Sequence, residues 1–214
     1  VCYIHGAGVS HRVWSEQFGG GNLSAVAPDL SGHGDSDDVS ASAGYETIEA
    51  FADDVVAVCD ASDATVLCGN SMGGAVALWI ALERDLDLEA LILADSGAKL
   101  GVDPAFLETL ASDFDAAIET LHAPGTLFFE PTEAIVTRSL ESLRAAGQAV
   151  TLRDFETCDL FDVRDRLDEI EVPTLALCGE HDKLTPPKFH EYLAGELPNG
   201  EFRTIEKAAH MPML

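Results

Sequence analysis

At 214 residues, 47% of them hydrophobic, the chain has the size and balance of one folded α/β domain, not a disordered segment. No apolar run nears the ~18 residues that span a membrane. Asp and Glu number 38 against 12 Lys and Arg, a net charge of −26, which disfavours nucleic acid and anionic membranes as partners because both need a basic footprint. The acids are distributed, as in "FADD" and "ERDLDLE", and not gathered in a tail. They read as a solvated acidic shell of the salt-adapted kind, with an ordinary acidic bacterial enzyme as the plain alternative.

The first element is a strand, "VCYI", ending at "HGAG". It opens without an initiator Met or a basic region, so no signal peptide is visible, and both ends of the chain are expected to be trimmed. "SHRVWSEQF" predicts a short helix with Ser10 as its N-cap. "LSAVAP" predicts a second strand, closed by Pro28 and the polar loop "DLSGHGDSDDVSASAG". "YETIEAFADDVVAVCDA" has the apolar period of an amphipathic helix. "ATVLCG" is a strand, "GGAVALWIALER" a helix and "EALILAD" a strand. From 96 to 160 come helical segments without a clear strand, separated by turns at Pro124, Gly125, Pro131 and Gly147. Alternation then resumes with the strand "VPTLALCG", the proline-led helix "PPKFHEYLAGEL" and the strand "GEFRTIE". The pattern predicts an α/β fold: a mostly parallel sheet with helices on both faces and a helical cap inserted between core strands. The core comprises 1–97 and 161–214, and the cap comprises 98–160.

Ligand sites of such sheets lie beyond the carboxyl ends of the strands. His5 to Gly8, Asp29, Ser71, Asp95, Asp182 and His210 all fall there. In "GNSMGG", between a strand and a helix, Ser71 reads as a nucleophile on a tight turn, and the small Gly69 and Gly73 give that turn room. The turn also sets the Met72 N–H at a helix N-terminus, where it has no intrahelical partner. Among seven histidines, His210 in the loop after the last strand is the natural base. His5 and His33 read as braces for their loops. Asp182 is the preferred acid because the order Ser, Asp, His is kept and its turn is polar and exposed, and Asp95 is the runner-up. Ala7 N–H in "HGAG" is the candidate second donor to an oxyanion, beside Met72 N–H. Five cysteines, an odd number with no C-x-x-C pair, imply neither a disulfide framework nor a zinc site. They fit a reducing, cytoplasmic setting.

"HGAG", "APDLSGHGDSD", "GNSMGG", "PTLALCGEHDKLTP" and "AAHMP" resemble, in order and spacing, the motifs of the α/β-hydrolase superfamily, and the short "HGAGVS" loop and small acidic cap resemble its serine carboxylesterases. The resemblance implies Ser71 as nucleophile, Asp182 as acid, His210 as base and Ala7 and Met72 as oxyanion donors. It implies no metal or organic cofactor and a small-molecule ester substrate. The strands that usually precede "HG" and the helix that usually follows the histidine loop are missing, in keeping with trimming. Three alternatives stay open: a carbon–carbon bond hydrolase of ring-fission products, suggested by Asn70; a cofactor-free haloperoxidase or perhydrolase; and a non-catalytic ligand-binding member. Phe106, Phe114, Leu127, Phe128, Phe129, Phe155 and Phe161 are candidates to line an acyl pocket or to form the cap's own core.

Overall fold

The structure, a computed structural model, describes residues 1–18 and 24–214. Five parallel strands, β1 (Cys2–Ile4), β2 (Val66–Asn70), β3 (Ala90–Ala94), β4 (Thr174–Gly179) and β5 (Gly200–Ile205), lie side by side in chain order. Their residues are rich in Val, Ile and Leu because a parallel sheet is covered by its own crossover segments. The crossovers are α1 (Tyr45–Ser62), α2 (Met72–Glu83), the helical block α3 (Pro104–Ser112), α4 (Phe114–Leu121) and α5 (Glu133–Leu160), and finally α6 (Pro187–Glu196).

Two of the expected elements differ. The strand over 23–28 reduces to a single bridge at Val26, whose N–H donates to Val1 O (2.9 Å) and whose carbonyl accepts from Tyr3 N–H (2.8 Å). Pro28 has no N–H, so pairing cannot run on; Leu23 lies outside the described residues. The helix after Ser10 is one 3-10 turn, His11–Trp14, and the Ser10 side chain makes no cap bond. With i→i+3 bonding, the Ser10 carbonyl takes the Val13 N–H (3.2 Å) and the turn closes at once.

Val26 sits on the outer side of β1 and β2 on the inner side. The chain therefore leaves β1 outward and returns across it, which opens a crevice between the carboxyl ends of β1 and β2. α1 buries Ile48, Phe51, Val55 and Cys59, a stripe at helical spacing, and ends on Asp63 in the left-handed region (φ 51°). α2 is apolar on every side and is buried from Met72 to Leu78. Leu67, Leu91, Leu93 and Ala176 pack with these helices and with Leu193 of α6 in the main core. Their alternating neighbours Tyr3, Cys68 and Ile92 face a second core with Val13, Trp14, Met211 and residues of the 98–160 block. Within that block α5 is broken at Gly147 (φ 80°, ψ 166°), the turn expected there.

Leu93 is fully buried in β3, the central strand. Leu93→Ala is expected to destabilise the fold by about 2–5 kcal/mol, seen as a lower urea midpoint with an unchanged slope.

Candidate active site

Ser71 follows β2 and caps α2 with φ 53° and ψ −119°, a conformation L residues rarely adopt. The glycines around it are there for contact. A Cβ on Gly69 would lie 2.2 Å from Gly73 O, and one on Gly73 would lie 2.3 Å from Ile4 O. Strand, helix and β1 thus touch backbone to backbone. The Ser71 N–H donates to Ala94 O (3.0 Å), and its carbonyl accepts from Ser96 Oγ (2.7 Å) and Gly74 N–H (2.9 Å). Ser96 is held in turn through its N–H, which donates to His190 Nε2 (2.8 Å). Burial pushes His190 down to about 4, so it is the neutral acceptor that this bond requires.

His210 and Asp182 meet on the loops after β5 and β4. His210 Nδ1 lies 3.0 Å from Asp182 Oδ2, and the Asp182 side chain is wholly buried. Thr185 Oγ1 donates to Oδ2 (2.6 Å), while the N–H groups of Leu184 and Thr185 donate to Oδ1 (2.8 and 3.1 Å). Burial alone would raise the Asp182 pKa, but its electrostatic interaction and hydrogen bond with His210 and the Thr185 hydroxyl bond outweigh it and hold the group below the carboxylate range. Asn70 Nδ2 donates to His210 O (3.2 Å) and Ala94 O (3.3 Å), tying the histidine loop to the residue before Ser71.

Asp95, the other candidate acid, is beside them. Donor atoms of Asp95, Asp182 and His210 all lie within 4.8 Å of one another, the one such group with metal-ligand spacing among the described residues. The 3.0 Å bond between His210 and Asp182 already occupies atoms that a metal would need. Asp95 Oδ1 accepts from Gly179 N–H (2.8 Å), and its buried Oδ2 has no acceptor-type bond. Burial, then the Asp182 charge, push Asp95 up to about 9, so near neutrality it is the protonated member of the pair.

The loop after β1 faces Ser71. His5 Nδ1 lies 2.9 Å from Gly6 O, and its Nε2 accepts from Leu30 N–H (3.1 Å), so the ring is neutral with the proton on Nδ1. Burial also pushes this ring down, to about 3. In a trans peptide the Ala7 N–H points opposite to Gly6 C=O. The Ala7 and Met72 N–H groups have no hydrogen-bond acceptor among the described residues. Ala7, Ser71 and His210 line one cavity of about 380 Å³, closed by Phe106, Leu127 and Phe155 from the 98–160 block. Phe161 and Phe128 are instead core residues, Phe114 packs at the edge of the second core, and Phe129 stacks on His181 at 4.6 Å. Asp29 accepts from His11 N–H (2.8 Å) and Asp35 N–H (3.1 Å) and braces its own loop, outside this cavity.

Thr185, Asn70 and Ser96 were not anticipated in these roles. Only Thr185 carries a signal, a hydroxyl three residues after Asp182 able to close a side-chain turn.

The model of the alpha/beta hydrolase family matches residues 3–214. A pimeloyl-[acyl-carrier protein] methyl ester esterase of Neisseria meningitidis serogroup A is 33% identical, covering 100% of this chain and 72% of the relative. The 3-oxoadipate enol-lactonase 1 of Acinetobacter baylyi is 24% identical, covering 99% and 81%. The solved structure of a thermophilic esterase superposes with a TM-score of 0.86 at 31% identity, covering 99% of this chain and 82% of that one.

An Asp95 that stays protonated when folded but ionises when unfolded makes the folded state bind the extra proton from the ordinary carboxylate range up to about pH 9. This group therefore makes stability fall as pH rises through that window. Asp95→Asn is expected to gain stability relative to the parent between pH 5 and pH 8 in urea unfolding. Parallel pH curves would put the charge on Asp95 instead.

Proposed function

The chain belongs to the alpha/beta hydrolase family, and we propose from that premise that it is a serine hydrolase of carboxylic esters working through Ser71, His210 and Asp182. The observation that carries this reading is a strained serine at a helix N-terminus sharing one cavity with a histidine hydrogen-bonded to a buried carboxylate. The relatives' names support the bond: one acts on a methyl ester, another on an enol-lactone.

In this mechanism Ser71 Oγ bonds to the ester carbonyl carbon while its proton passes to His210. The carbonyl oxygen becomes an oxyanion between the Ala7 and Met72 N–H groups, favoured further by the α2 dipole. The carbon–alkoxy bond then breaks, and His210 hands the proton to the departing alcohol. Water attacks the acyl-enzyme, giving a proton to His210. The carbon–Oγ bond breaks, Ser71 recovers that proton and the carboxylic acid leaves. Asp182 keeps its charge throughout and fixes the imidazole. The 98–160 block acts as a cap whose Phe106, Leu127 and Phe155 meet the apolar part of the ester. A cavity of about 380 Å³ is at the small end of ligand pockets and suits a short acyl or alcohol group. The acidic surface is read as an adaptation to salt, which screens its self-repulsion.

Ser71→Ala is expected to abolish turnover of a short-chain p-nitrophenyl ester, and labelling by a fluorophosphonate, with the circular dichroism spectrum unchanged. Asp182→Asn should lower kcat on the order of 10⁴-fold, whereas Asp95→Asn, which mimics a protonated carboxyl, should stay within about threefold of the parent. Equal losses in the two variants would overturn the assignment of the acid. Activity and thermal midpoint should both rise from low to molar KCl; a flat response in both would remove the salt reading.

A further inference from the structure

We propose that Asp154, on the second half of α5, is a positioning residue for the oxyanion hole, holding the peptide that follows Ala7 through a hydrogen bond from Gly8. The inference rests on the serine-esterase reading above. Asp154 Oδ2 accepts from Gly8 N–H (2.8 Å) and lies 2.7 Å from His33 Nε2. Asp154 and His33 are both completely buried, so the carboxylate has given up its water for these two partners. Its other oxygen, Oδ1, has none.

Two peptide planes flank the Ala7 α-carbon, and each is gripped from outside. His5 Nδ1–H holds Gly6 C=O, which aims the Ala7 N–H the opposite way. Asp154 holds the N–H of the next plane. Together they set φ and ψ at Ala7. Gly8 itself is in the left-handed region (φ 66°), and a Cβ there would lie 2.6 Å from Leu143 Cδ2 and 2.9 Å from Thr151 Cγ2. The loop thus lies close against α5 at Gly8.

The choice of a charged acceptor needs a cause, because a buried carboxylate is an expensive way to dock a helix. His33 supplies its counter-charge. Its Nε2 faces Asp154 and its Nδ1 faces Ser31 O (3.3 Å), so both ring nitrogens act as donors. Burial would push His33 down, but the Asp154 charge and hydrogen bond outweigh it and raise it. The neighbouring His5 ring, 4.8 Å away, is the neutral one. A charged acceptor makes a shorter and stronger bond to the Gly8 N–H than a neutral one. That suits a donor pair which must stand ready before the oxyanion forms.

The test compares three variants in the full chain with a short-chain p-nitrophenyl ester. Asp154→Ala should lower kcat by about 10²-fold, the scale of losing one oxyanion donor, with KM within about threefold. Asp154→Asn keeps a carbonyl oxygen for Gly8 and should lose roughly tenfold, intermediate because the acceptor is neutral. Thr157→Val removes a different hydrogen bond from α5 to the core, Gly44 N–H to Thr157 Oγ1 (2.9 Å), and should keep the parent kcat. A parent kcat in folded Asp154→Ala, a rise in KM alone, or an equal kcat loss in Thr157→Val would overturn the inference. If Asp154→Ala does not fold, a parent kcat in Asp154→Asn overturns it and a selective kcat loss upholds it. Failure of the esterase reading is separate: the unmutated chain would then turn over no ester and take no fluorophosphonate label.

Discussion

The backbone of Ser71 cannot relax. Its φ and ψ cost about 1–3 kcal/mol relative to an ordinary residue, and they persist because everything around them is fixed first. Gly69 and Gly73 let β2, α2 and β1 close to within backbone contact, so the turn between them has one path. Ala94 O and Ser96 Oγ then bind the two faces of the Ser71 peptide framework from β3 and the loop after it. A strain held this way is independent of any ligand. It leaves Ser71 lining the cavity and the Met72 N–H at the start of a helix without an acceptor among the described residues.

A second constraint is the sorting of protons among groups that have little or no water. His5 and His190 each accept an N–H and are neutral, while His33 donates from both nitrogens and is charged. Asp182 is surrounded by donors, whereas Asp95 has one donor and a carboxylate neighbour, so one ionises and the other does not. Two adjacent negative charges would repel in this low dielectric. The pair instead leaves a single formal charge facing His210. Little of the chain's net charge of −26 therefore lies in the interior. The excess belongs to residues such as Asp37, Asp53, Asp60 and Asp85, which are exposed to solvent.

The sheet was legible because each strand is a short apolar run between turn residues, and α1 because its apolar stripe has one period. The failures are local. Val26 has strand-like neighbours but is followed by Pro28, and one bridge is all that forms. Ser10 has the chemistry of a cap but precedes a turn too short to need one. At the site, Ser71, Asp182 and His210 could be ranked because each follows a strand. Asp95 follows one too, and only the polar, exposed turn around Asp182 spoke for the latter. The difference in hydrogen-bond donors was not legible: the three on Asp182 come from Leu184 and Thr185 in its own loop, and no periodicity reports them. Asp154 left no trace, since an acid inside a helix of a highly acidic chain looks like one more solvated residue.

The second half of α5 makes clear why such a residue hides. Its most buried side chains are Thr151, Asp154, Thr157 and Cys158, spaced as a helix face should be but mostly polar. A search for apolar stripes passes over them. The face is polar because, besides neighbouring helices, it covers loops, which present backbone N–H groups that must be satisfied when buried. Gly8 and Gly44 are two of these, and Asp154 and Thr157 are their acceptors. Arg153, next to Asp154, pairs with Asp38 (2.6 Å) on the loop that carries His33. A helix docked by hydrogen bonds to loops cannot shift by one turn without orphaning each of them, so it is held in register more tightly than an apolar contact would hold it. The same helix supplies Phe155 and Cys158 to the cavity wall. The cavity wall and the loop that faces Ser71 are consequently both anchored on this one helix.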